Sequence, residues 1–137
     1  MDKQREQELV MQASLFEKNS QETAQQIEYL EKEIFELDTL SKNLSSLGHV
    51  DNKECKESYS TLGKGLYVKS QLIEEKILVH AGANVLVKKS INETKKIIEE
   101  QIKKLSQARG YLLERLELYN NGLQEIIREF GNLEHQH

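Results

Sequence analysis

The chain has no proline, no tryptophan and a single cysteine, and aromatic residues make up only 6% of its 137 positions. One cysteine, Cys55, excludes an internal disulfide and fits a reducing compartment. Without proline, nothing in the sequence forces a break in a long helix. No apolar stretch approaches the roughly 18 residues needed to cross a bilayer. The charged start Met1-Asp2-Lys3 does not read as a signal peptide. A basic stripe is also missing: the formal net charge is -4, with both signs interspersed, so the phosphate neutralisation of nucleic-acid binders has no counterpart here. The expectation is a cytoplasmic chain that contacts neither nucleic acid nor membrane.

A hydrophobic fraction of 37% is thin for a globular core, whereas 31% charged residues suit long solvated helices. Such a balance can also signal disorder. Disorder is excluded by periodicity. Leu9, Ala13, Phe16, Ser20, Thr23, Ile27, Leu30, Ile34, Leu37, Ser41 and Leu44 follow alternating steps of four and three, and eight of these eleven are apolar. The run lasts about five heptads, which meets the coiled-coil criterion. Gly48 directly after Leu47 suits a helix stop.

The same rhythm returns in Ile91, Lys95, Ile98, Ile102, Leu105, Arg109, Leu112, Leu116, Tyr119, Leu123, Ile126, Phe130 and Leu133, broken only by Lys95 and Arg109. Ser90 followed by Glu93 forms a capping-box signature that marks where this helix starts. Leu9–Leu47 and Ile91–Leu133 would each run roughly 60 Å at 1.5 Å per residue. Two helices of equal length around a short connector predict an antiparallel coiled-coil hairpin, with helices over 3–47 and 91–134 and one domain over 1–137. Gly110 and Gly122 each cost about 1 kcal/mol relative to Ala, and Ser20 and Thr23 weaken the facing seam. The outer half of the arm is expected to be the looser half. Arg109 reads as a snorkelling side chain paired with a glutamate across the seam.

Between the helices, over 57–89, the pattern changes to short β-rich triplets: Leu66-Tyr67-Val68, Ile77-Leu78-Val79 and Val85-Leu86-Val87. Tyr59-Ser60-Thr61-Leu62 is a weaker fourth strand. Gly63-Lys64-Gly65 and Gly82-Ala83-Asn84 are the turns, where Gly and Asn tolerate positive φ. Residues 62–69 resemble residues 81–88, so one hairpin is written twice. The triplets are apolar on both strand faces, which calls for cover on both sides. Four short strands cannot cover themselves and also leave open edges. The fold class is therefore α+β and mostly α: a coiled-coil hairpin whose helices are joined by two β-hairpins that oligomerise into a β platform, which the resemblance described next makes a β-barrel.

The order long helix, two hairpins, long helix resembles the α class of the prefoldin family over nearly the whole chain. The sharpest part is Leu62 to Glu93, above all Leu78-Val79-His80-Ala81-Gly82-Ala83-Asn84-Val85-Leu86-Val87-Lys88-Lys89-Ser90-Ile91. The β class has a single hairpin, so the duplication points to α; the resemblance favours the archaeal form of the family, where one α type serves all positions, with a eukaryotic paralogue as the alternative. Ser60-Thr61 stand where the family often has Val-Pro, and Asn84 where the second turn usually has Gly. The resemblance implies a hexamer of two α and four β-type subunits whose hairpins form joined barrels. It implies an ATP-independent holdase that binds unfolded polypeptides and passes them to a group II chaperonin.

Leu9, Val10, Met11, Leu15 and Phe16 would then meet Ile127, Phe130 and Leu133 at the free tip of the arm. Val10, Met11, Leu15 and Ile127 lie off the seam, where the hairpin cannot bury them. Such exposed groups suit weak contact with apolar segments of a non-native chain. The alternative is a structural coiled-coil protein that self-assembles or tethers partners and has no client. Enzymatic readings find no support. Gly63-Lys64-Gly65 lacks the phosphate-loop spacing and is a hairpin turn. His135 and His137 give two ligands on a tail, too few for a metal site, while His49 and His80 lie apart, and Cys55 has no histidine partner. No cofactor or metal is expected, and the paired carboxylates at Glu31/Glu33 and Glu99/Glu100 read as solvated helix faces.

Overall fold

A computed structural model describes residues 2–48, 57–72 and 76–135. Helix α1 spans Asp2–Gly48 and helix α2 spans Ile91–His135. Between them lie β1 (Glu57–Gly63), β2 (Leu66–Gln71), β3 (Lys76–His80) and β4 (Leu86–Ser90). His49, Cys55 and His137 fall outside the described residues. The chain divides into two compact units: Met1–Ile34 with Lys103–His137, and Phe35–Ile102.

In the first unit the helices run antiparallel. Arg5 pairs with Glu129 at 2.9 Å, Phe16 lies against Gly122, and Ser20 donates a hydrogen bond to the Asn120 side-chain oxygen at 3.0 Å. Rising numbers on α1 thus meet falling numbers on α2. Every position of the four-three series is buried or half-buried, with Leu9, Thr23, Ile27 and Ile126 the most enclosed. The periodicity alone specified this stripe, because each helix needs only one narrow apolar face to pair. The small and polar seam positions also have uses. Ser20 has its partner in Asn120. A Cβ on Gly122 would sit 3.2 Å from the Phe16 ring, so the missing side chain admits that ring, which also tilts against Tyr119 at a centroid distance of 6.2 Å.

Gly110 meets no neighbour within 4 Å of an added Cβ. Gly110→Ala is therefore expected to stabilise the chain by about 1 kcal/mol through helix propensity. Gly122→Ala gains the same propensity but must displace Phe16, so its benefit should be smaller or reversed. Urea unfolding followed by circular dichroism separates the two; equal gains would show that the Phe16 contact costs nothing to shift.

The second unit holds an apolar cluster of Leu44, Ile91 and Ile98, with Leu37, Leu47, Ile77 and Ile102 packed around it. Ser90 caps α2, its hydroxyl accepting from the Glu93 backbone N–H at 3.1 Å, while Thr94 donates back to the Ser90 carbonyl at 2.8 Å.

The four strands form two separate two-stranded antiparallel sheets, β1 with β2 and β3 with β4. The polar first strand pairs fully, from Glu57 opposite Gln71 to Gly63 opposite Leu66, with an irregularity between Thr61 and Gly63. Its polarity is matched across the pair. Ser60 and Ser70 share a hydroxyl hydrogen bond at 2.6 Å, and Lys69 reaches Glu57 at 2.9 Å. The Gly63-Lys64-Gly65 and Gly82-Ala83-Asn84 turns run entirely at positive φ.

Two sequence expectations need correction. Val85 is not a strand residue: its N–H donates to the Gly82 carbonyl at 3.0 Å and its carbonyl accepts from Ala81 at 2.8 Å, so it closes the turn and β4 begins at Leu86. Nor are the two faces of β3 alike. Ile77 and Val79 are half-buried, Ile77 against the helical cluster, whereas Lys76, Leu78 and His80 are exposed. Side-chain alternation reasserts itself because the helix ends already supply cover on one face.

Candidate interaction surfaces

Within the first unit, the residues expected at the tip divide by heptad position. Leu9 is only 1% exposed, and Phe16, Phe130 and Leu133 are half-buried in the seam. Leu9 holds the seam position that its spacing assigns it, and reaching it would require opening the helix pair. Val10, Met11, Leu15 and Ile127 are open, Met11 at 73% and Ile127 at 68%. Val10, Met11 and Leu15 border two shallow grooves. One, of about 570 Å³, is lined by Lys3, Glu6, Gln7, Val10, Met11 and Phe130; the other, of about 490 Å³, by Met11, Gln12, Ser14, Leu15 and Lys18. The linings mix apolar side chains with flexible amides, which can contact many sequences without fixing one.

Sequence reasoning missed further exposed apolar groups on the helices: Tyr29, Phe35, Leu40, Tyr111, Leu113 and Leu118. They stand singly at off-seam positions, so no period announces them. A third groove of about 500 Å³ joins Tyr29 to Leu30 and Leu112. Near it on α2, Arg115 lies 5.7 Å from the ring centroids of both Tyr111 and Tyr119 and donates to the Tyr119 hydroxyl at 2.7 Å. That hydrogen bond, then the charge interactions with the two tyrosines, holds Arg115 above its ordinary pKa, so the group stays cationic throughout.

The Arg109 expectation fails. Its Nε is buried with no hydrogen-bond partner, and no ion pair to it occurs among the described residues. Its seam neighbours on α2 are Leu105 and Leu112, which offer no acceptor. Arg109→Leu is therefore expected to raise stability by about 1–2 kcal/mol, since it removes an unsatisfied buried group from an apolar stripe. A lower urea midpoint in the variant would mean that Arg109 is bonded in solution.

The hairpins carry the second surface. Leu66, Tyr67, Val68, Leu78, Leu86, Val87 and the turn residue Val85 are exposed, as are Tyr59 and Leu62 on the first strand. Of the nine triplet residues, Ile77 and Val79 are the two that gain cover within the chain. A two-stranded hairpin with both edges open is marginal alone, and apolar exposure of this extent marks a contact surface. Among the described residues no group of three His, Cys, Asp or Glu side chains could hold a metal, and no helix is long and apolar enough to cross a membrane.

Two long helices and two antiparallel strand pairs, in this chain order, have a counterpart among known proteins. The family model described as prefoldin subunit matches residues 16–134. The chain belongs to the prefoldin family.

Prefoldin is a chaperone family, and the curated relatives that the chain matches place it with the alpha-type subunits. Prefoldin subunit alpha of Methanosphaera stadtmanae is 24% identical over 98 residues, spanning 72% of this chain and 69% of the relative. Prefoldin subunit alpha of Methanobrevibacter smithii is 24% identical over 111 residues, spanning 80% and 74%. A chain from the cryo-EM structure of filamentous PFD from Methanocaldococcus jannaschii superposes with a TM-score of 0.73 at 22% identity, covering 87% of this chain and 98% of that one. At that identity the likeness establishes the prefoldin fold.

Proposed function

We propose that this chain is the α-type subunit of a cytoplasmic, ATP-independent holdase, joined to β-type prefoldin subunits as two α and four β around a platform of shared hairpins. The observation that carries the client-binding reading is the open set Val10, Met11, Leu15 and Ile127. These side chains sit off the seam, where helix pairing makes no use of them. Each contact with a non-native chain is weak, and several such arms on one platform raise the joint affinity through multivalency. Handing the client to a group II chaperonin completes the role.

Hairpin assembly has its own support, since seven apolar positions of the three triplets face solvent in the isolated chain. Mixing the chain with a β-type subunit and measuring native mass tests assembly. Adding the complex to a denatured protein and following light scattering tests the holdase. A complex that forms but leaves aggregation unchanged would refute client binding while keeping assembly.

A second reading is a self-assembling scaffold or tether with no client. The fold likeness to filamentous PFD favours it. Long assemblies of this chain alone in electron micrographs, together with no suppression of aggregation, would select that reading.

A further inference from the structure

Met11 is the most exposed large apolar side chain among the described residues, at 73%. It is also the one residue shared by the two grooves of the first unit that hold Val10 with Phe130 and Leu15. Oxidisable sulfur is otherwise scarce in the chain. Met1 and Cys55 are the remaining sulfur residues, and tryptophan is absent.

An open thioether reacts with two-electron oxidants such as hydrogen peroxide. The sulfur lone pair attacks one peroxide oxygen and the O–O bond breaks. The hydroxide released takes the proton of the transferred oxygen and leaves as water. Sulfur is oxidised by two electrons, peroxide is reduced by two, and the side chain becomes a sulfoxide. We infer that Met11 is a reversible oxidation site whose sulfoxide form weakens client contact at the tip. This rests on the client-binding reading and adds its regulation by an oxidant of the peroxide class.

The position makes one added oxygen count. With Met11 oxidised, the first groove keeps Val10 and Phe130 as its apolar members and the second keeps Leu15 alone. An apolar client segment pressed onto the sulfoxide would bury a strong acceptor without offering it a donor, which is costly. Helix pairing is spared, because the seam here is held by Leu9 and Phe16 and makes no use of Met11. The modification therefore acts on binding and leaves the fold alone. Reversal needs a methionine sulfoxide reductase and a thiol donor: two thiols join as a disulfide, and the oxygen departs as water.

The test uses a Cys55→Ser chain, so that no thiol consumes oxidant. The chain is treated with hydrogen peroxide, cleared of it by catalase, and mixed with a β-type subunit. Light scattering of an aggregating client then compares treated with untreated samples. Peptide mass should show about 16 Da added at Met11. Protection should fall about threefold, with native mass and helical circular dichroism unchanged, and a methionine sulfoxide reductase with dithiothreitol should restore it. Met11→Leu has no thioether at this place, so whatever its starting protection, treatment should leave that value unaltered.

Full protection by a complex whose Met11 is a sulfoxide, or an equal loss in treated Met11→Leu, would overturn the inference while leaving client binding intact. An untreated complex that gives no protection would refute client binding, and the inference with it.

Discussion

Replacing Val10, Met11, Leu15 and Ile127 together by serine is expected to lower protection of a denatured protein at least about tenfold, with native mass and helix content unchanged. All four are exposed. Their removal should therefore alter stability by only about 0.5 kcal/mol each. The loss falls on the client side, where each weak apolar contact is repeated across several arms and the reductions multiply. Light scattering of an aggregating client, with native mass measured on the same sample, reads both quantities. Leu9→Ser is the informative contrast. Leu9 is enclosed, so that change should lower the unfolding midpoint first and reduce protection only as the helix pair opens. Full protection by the fourfold variant would place client contact elsewhere, and the groove beside Tyr29 and Leu112 is the next region to probe.

The largest effect on stability is expected from Ile98→Ala. Ile98 is buried between Leu44 and Ile91 in a cluster that also receives Ile77 from β3. Deleting three carbons there should cost about 2–5 kcal/mol, because two helix ends and a hairpin cannot collapse onto the gap together. A paired-helix protein has few other fully buried apolar residues across which to spread that loss. Leu118→Ala, at an exposed position on the same helix, should stay within about 0.5 kcal/mol. Urea denaturation of both variants checks this, and a similar midpoint for the two would mean that the cluster is not the centre of stability.

The seam was legible from the sequence because a coiled coil is specified by one periodic stripe. Leu9, Ile27, Leu44, Ile98 and Ile126 occupy the positions that the four-three spacing assigns them, and each is buried. Ser90 was readable as a cap because its side-chain chemistry acts within three residues. Other features were hidden for identifiable reasons. Val85 belongs to the turn because three successive positive-φ residues close the loop one residue later than a triplet count implies. The β1–β2 pairing depends on hydroxyl contacts from Ser60 and on the Glu57–Lys69 ion pair, neither of which enters a hydrophobic pattern. The Arg109 error came from assuming that a charge in a seam finds a countercharge. The sequence has acids on nearby turns of α1, but side-chain reach in three dimensions decides the matter. Exposed aromatics such as Tyr29 and Tyr111 follow no period at all.

Ser90 is both the last residue of β4 and the cap of α2, so no spacer separates ribbon from helix. Any twist that a neighbouring strand imposes on β4 must pass directly into the turn that buries Ile91 and Thr94. The junction behaves as a rigid coupling: adding one residue there would rotate the Ile91 stripe by about 100° and leave the helix out of step with its mate. Assembly can therefore aim the start of the helix, with no joint in between to absorb the motion.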